Sequence, residues 1–119
     1  MANKTEVEQF LEEFKEKMKL TEVYFRDDRG KNAQALADLE IRPIDREKVL
    51  ENLNVEDYSK GPLKDTLYKK SDLWVFGKEL KKREVYIKIS IGYGEGGVLC
   101  ISFHISEFKM NYPFKSQEL

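Results

Sequence analysis

Two runs of alternating residues, 84–91 and 98–105, restrict this chain to folds built around an antiparallel sheet. A strand with one buried face places every second side chain inward, and both runs obey that period. Val85, Ile87, Ile89 and Ile91 form one apolar row, and Leu99, Ile101, Phe103 and Ile105 form the row that answers it. The opposite face carries Tyr86, Lys88, Ser90, Cys100, Ser102 and the single histidine, His104. With Gly92 set opposite Val98 around the glycine-rich connection 93–97, Tyr86 faces His104, Lys88 faces Ser102 and Ser90 faces Cys100. Opposed residues share a face with Cβ atoms about 5 Å apart. A slip of one residue would turn the aliphatic row to water, so burial itself defends the register. One hairpin face therefore gathers a phenol, an ammonium and an imidazole, groups able to carry phosphoryl-transfer chemistry without a metal.

The elements before the hairpin are mainly helical. Val7, Phe10, Leu11, Phe14 and Met18 recur at helical spacing and predict a helix over 5–19. Thr5 followed by Glu8 resembles a capping box. Residues 22–26 read as a short strand closed by a turn at Asp27-Asp28. Ala35, Leu36 and Leu39 mark a helix over 32–40 that ends before Pro43, and Asp45 is placed to cap another through Leu53. Residues 54–71 read as an irregular basic loop, 73–78 as a strand, 79–84 as a charged turn, and 107–119 as an extended tail. Helices first and a meander of about three strands last make the class α+β, one domain over 1–119, with 22–26 as a possible edge strand.

Composition removes several functional classes. An apolar fraction of 40% beside 36% charged residues describes a soluble globular chain rather than a disordered one. No apolar run nears the roughly 20 residues of a membrane span, the first residues are polar, and Cys100 has no partner for a disulfide. A cytoplasmic location is expected. The formal net charge of −1 hides an imbalance: residues 1–57 carry −5 and residues 58–88 carry +5. The basic middle suits contact with phosphates on one side, or is simply a solvated turn.

Other motifs reduce to structure. Residues 92–97 match GxGxxG, but a strand follows where a dinucleotide site needs a helix, so they form a hairpin loop. One His and one Cys make no zinc-type ligand set, and Asp27-Asp28 lacks further ligands, so no metal or other cofactor is expected. Ser102 and His104 lack a carboxylate to orient the imidazole as a hydrolase triad requires.

Three segments, Leu53-Asn54-Val55-Glu56-Asp57-Tyr58-Ser59-Lys60, the strand around Trp74, and Val85-Tyr86-Ile87-Lys88-Ile89 followed by Ile101-Ser102-Phe103-His104, resemble in order and spacing the MqsR-type toxins of bacterial toxin–antitoxin modules. The resemblance spans about residues 50 to 106. It implies a RelE-like fold with N-terminal helices packed on the sheet. It also implies metal-independent endoribonuclease activity on mRNA and neutralisation by a cognate antitoxin protein. By position, the family's catalytic lysine falls on Lys60, its tyrosine on Tyr86, and its terminal-strand lysine on His104. Its glutamine after the tryptophan falls on Val75.

Lys60, Tyr86 and His104 are thus the expected catalytic residues, with Lys64, Trp74, Lys88 and Ser102 as substrate contacts. His104 would serve as acid or base, Lys60 and Lys88 would stabilise charge on the phosphorane, and Tyr86 would hydrogen-bond a phosphate oxygen or stack on a base. Two other readings stand beside this one. The first is a non-catalytic interaction module that binds a partner strand at the sheet edge, taken as 73–78, steered by the lysine-rich loop. The second is a small-ligand pocket lined by Tyr24, Trp74 and Tyr86.

Overall fold

The structure, a computed structural model, describes residues 1–28, 30–64, 71–92, 94 and 96–115. Lys69 and Lys70 of the basic segment, Tyr93 and Glu95 of the glycine-rich connection, and the last four residues of the tail lie outside the described residues.

Helix α1 (Lys4–Leu20) buries the stripe Val7, Phe10, Leu11, Phe14 and Met18 that the sequence marks out. Its cap is Asn3, not Thr5: the Asn3 side chain accepts from Glu6 N at 2.8 Å, and Glu6 Oε1 accepts from Asn3 N at 3.0 Å. Asn satisfies an orphan N–H of the first turn as well as Thr does, so the helix starts one residue earlier than expected. Strand β1 (Val23–Phe25) follows, then α2 (Gly30–Leu39) and α3 (Asp45–Glu51). Asp45 does not cap α3. Its carboxylate accepts instead from the backbone N–H of Arg42 at 2.8 Å and from the Arg42 guanidinium at 3.0 Å.

The expected loop over 54–71 contains a 3₁₀ turn (Val55–Asp57) and a strand, β2 (Tyr58–Leu63). β2 is broken by register shifts against β3 (Leu73–Leu80), and Gly61-Pro62 interrupts its alternation, so no period-2 signal reaches the sequence. β3 and β4 (Arg83–Ser90) meet at a turn of only two residues, Lys81 and Lys82, both with positive φ. The charged turn is therefore shorter than the expected 79–84. β5 is Val98–Ile105.

The sheet has five strands in the order β1-β5-β4-β3-β2. It is mixed rather than a pure meander, because β1 runs parallel to β5. Gly97 permits that pairing: a Cβ there would lie 2.6 Å from the Tyr24 ring. β3 is internal, so the edges belong to β1 and β2, and 73–78 is closed to strand addition.

The helices bury their apolar faces against one side of the sheet. Phe76, Ile87 and Phe103, paired across β3, β4 and β5, join Val7, Phe14, Leu39 and Leu50 in a single buried cluster. Trp74 belongs to this inner side, with Phe10 stacked on it at 4.5 Å. The row Lys60, Val75, Lys88 and Ser102, paired in succession across β2 to β5, lies on the other side of the sheet, outside that cluster.

Candidate functional site

The register that brings the polar face together is the expected one over its first half. Tyr86 pairs with His104 and Lys88 with Ser102. Beyond Lys88 the ladder shifts by one residue, Ile101 is left without a partner, and Ile89 pairs with Cys100 and Ser90 with Leu99. The expected Ser90–Cys100 pair does not form. One inserted residue reverses the facing of what lies beyond it. Cys100 consequently joins the buried core instead of the polar face, and burial pushes its thiol up to about 12. Ser90 is fully buried, with its hydroxyl 2.5 Å from that of Ser71.

The extra residue is held from the side. The Asn32 amide of α2 donates to Arg26 O and to Ile101 O, each at 2.9 Å, and accepts from Phe103 N at 3.0 Å. β1 ends at Phe25, and this side chain continues its hydrogen bonding along the edge of β5. Asn32 is 2% exposed and its polar atoms are paired.

On the outer face, Lys60, Tyr86, Lys88, Ser102 and His104 line one cavity of about 310 Å³. Tyr86 and His104 stack with ring centroids 5.3 Å apart and planes within 13°. The Lys88 ammonium lies 5.7 Å from the centre of the Tyr86 ring. His104 Nδ1 is 3.1 Å from Ile105 O. A carbonyl only accepts, so Nδ1 carries the proton and Nε2 holds the lone pair of the neutral ring. Ser102 is almost fully buried at the cavity floor, and Val75, fully buried, stands between Lys60 and Lys88 in the cross-strand row.

Five of the seven expected site residues thus meet, and two do not. Trp74 lies on the other side of the sheet against Phe10, because its neighbour Val75 takes the outward position. Lys64 is exposed one residue beyond β2 and does not line this cavity. Lys60 sits on β2 itself rather than on a loop, paired with Val75. Tyr24, Trp74 and Tyr86 share no pocket: Trp74 and Tyr86 face opposite sides, and Tyr24 is half exposed on the edge strand.

Four residues complete the cavity without having been expected: Lys31 from α2, and Ser106, Glu107 and Phe108 from the tail. Lys31 forms an ion pair with Glu107, whose carboxyl that contact holds below its ordinary range. Lys31 and His104 are far apart in sequence, and no local pattern announces a contact made only when α2 packs beside β5.

Part of the basic excess in the middle of the chain serves structure. Lys78 pairs with Asp57 at 2.9 Å, and Lys81 donates to Glu40 O at 3.1 Å. Asp27 and Asp28 are both engaged by arginines: Asp27 by the buried Arg46 at 2.6 Å and Asp28 by Arg26 at 2.9 Å. Among the described residues no group of three or more His, Cys, Asp or Glu is placed to hold a metal ion, and no helix is long and apolar enough to cross a membrane.

Comparison of the chain with protein families, with curated proteins and with solved structures finds no match. The class that fold and site define is an α+β protein whose sheet carries a cationic, aromatic cavity on the face opposite the core.

Proposed function

We propose that this protein is a metal-independent endoribonuclease acting on single-stranded mRNA, a toxin of the MqsR type with a RelE-like arrangement, held in check by a cognate antitoxin protein in the cytoplasm. One observation carries the reading: the stacked Tyr86–His104 pair shares a cavity with Lys60 and Lys88 on the sheet face opposite the helix-packed core. The sequence resemblance over residues 50 to 106 supports it independently of that geometry.

The reaction requires a base for the ribose 2′-OH, positive charge at the phosphorane and a proton for the leaving 5′-oxygen. His104 takes the 2′-OH proton on Nε2, the nitrogen left with a lone pair by the bond from Nδ1 to Ile105 O. The 2′-oxygen bonds to phosphorus, the bond from phosphorus to the 5′-oxygen breaks, and the product is a 2′,3′-cyclic phosphate. Lys60 and Lys88 stabilise the phosphorane oxygens, and one of these ammonium groups protonates the departing 5′-oxygen. Tyr86 orients the imidazole by stacking and presents its hydroxyl to a non-bridging oxygen.

Incubating the purified protein with single-stranded RNA in excess EDTA is the test. Cleavage by wild type to cyclic-phosphate ends is expected, with His104→Ala and Tyr86→Phe each slower by about 100-fold or more, the usual weight of a general base or a charge-stabilising donor. Undiminished cleavage by both variants would remove the assignment of residues, and absence of cleavage by wild type would remove the enzyme.

A further inference from the structure

Phe108 is 80% exposed, and a lone exposed aromatic is ordinarily uninformative. Its setting makes it informative. The ring is at a cavity whose lining includes Lys31, Lys60, Lys88, His104, Tyr86 and one carboxylate, Glu107, itself paired with Lys31, and the backbone that carries it is pinned on both sides. Ser106 N donates to Glu84 O at 2.8 Å, and Met110 N donates to Glu84 Oε1 at 3.0 Å. The Ser106 hydroxyl closes the turn onto Phe108 O, and Glu107 is tied to Lys31. An apolar ring held in water at the rim of a cationic cavity matches a ligand that is anionic along its backbone and flat and apolar on its faces. That combination describes a nucleotide chain, and it fits neither a purely anionic polymer nor an apolar peptide.

We infer that Phe108 forms a base-stacking subsite beside the cavity, taking the nucleobase of a residue next to the one whose phosphate lies between Lys60 and Lys88. The inference rests on the nucleic-acid reading above and adds to it a substrate contact from the tail, outside the segments that resemble the toxin family. Stacking is tolerant of base identity, so the subsite sets register and affinity more than sequence. Glu107, paired with Lys31, ties the segment beside the cavity.

The test uses a labelled 2′-O-methyl RNA heptamer, which cannot be cleaved, and a heptamer of the same backbone lacking every base. Fluorescence anisotropy is read for wild type, Phe108→Ala and Phe108→Trp. Phe108→Ala is expected to weaken binding of the base-containing heptamer about 5- to 100-fold, the range of one stacking contact. It should leave the abasic heptamer within twofold of wild type, and Phe108→Trp should restore binding. Equal losses on both probes, or no loss on either, overturn the subsite. Binding that falls on Lys60→Ala and Lys88→Ala but ignores Phe108 overturns it while leaving the nuclease reading intact. Failure of wild type to bind either probe overturns both.

Discussion

At the scale of single residues, burial decides which of the sequence's reactive groups remain available. Cys100 and His104 are four apart on one strand, yet the first is sealed in the core and the second opens on a cavity. The Cys100 thiol is raised by burial, with Arg46 opposing and Asp27 adding to the shift. A folded value near 12 against an ordinary 9.0 means that the unfolded chain loses this proton first as pH rises. The contribution is complete below about pH 9 and is lost as pH climbs toward 12. Cys100→Ala should cost about 1 kcal/mol at pH 7. Wild type should lose about 1–2 kcal/mol of that advantage by pH 10, so that the gap closes or reverses, as read from urea melts at the two pH values. A constant gap would show that the thiol ionises alike in both states. Tyr112, raised by burial and by the neighbouring Glu84 carboxylate, adds a loss of the same sign at still higher pH.

At the scale of elements, two side-by-side contacts do what continuous pairing does elsewhere. Asn32 replaces a missing stretch of β1 and stabilises the bulge that turns Cys100 inward. Asn32→Leu should destabilise the fold by about 2–3 kcal/mol, because Phe103 N and Ile101 O would be left buried without partners. Asn32→Asp should be at least as costly, since a carboxylate would face two carbonyl oxygens. Midpoints of denaturant unfolding give both values. The tail is the other case. It crosses the outer face where Gly77 leaves room, and a Cβ on Gly77 would lie 2.8 Å from the Tyr112 ring and 2.9 Å from the Met110 sulfur. Gly77→Ala should therefore lift the tail from the sheet. Hydrogen exchange at Met110 N should rise to that of an unprotected amide while the core of β4 stays protected, and an unchanged rate at Met110 would contradict the packing described.

At the scale of the whole molecule, the fold separates two faces with different work. The helices and their apolar stripes close one side of the sheet, and the cationic cavity opens on the other. A chain with net charge −1 can thus offer a local positive site. Association with single-stranded RNA should weaken with added salt, with a slope in log K against log salt of about −1.5 to −2 for two or three phosphates, and Lys60→Ala should make it shallower by about 0.7. Binding insensitive to salt would exclude the lysine row as the contact.

How much of this was legible in the chain follows from the range of each interaction. The helix stripe of α1 and the pairings Tyr86–His104 and Lys88–Ser102 are local consequences of period, and they stand as the sequence predicts. The second half of that hairpin departs from the expected register because a bulge leaves no mark on alternation, and its stabiliser, Asn32, comes from a helix about 70 residues away. β2 leaves no strand signal because Gly61-Pro62 breaks its pattern, and the side on which Trp74 lies is not legible because its strand is buried on both faces. The sequence by itself determined which residues alternate and which groups are chemically able to act, since these follow from side-chain polarity repeated at a fixed period. Only the tertiary structure decided where β1, α2 and the tail come to rest, and so brought Lys31, Glu107 and Phe108 to the cavity. Those contacts depend on shape and packing between segments distant in the chain, which no local period encodes.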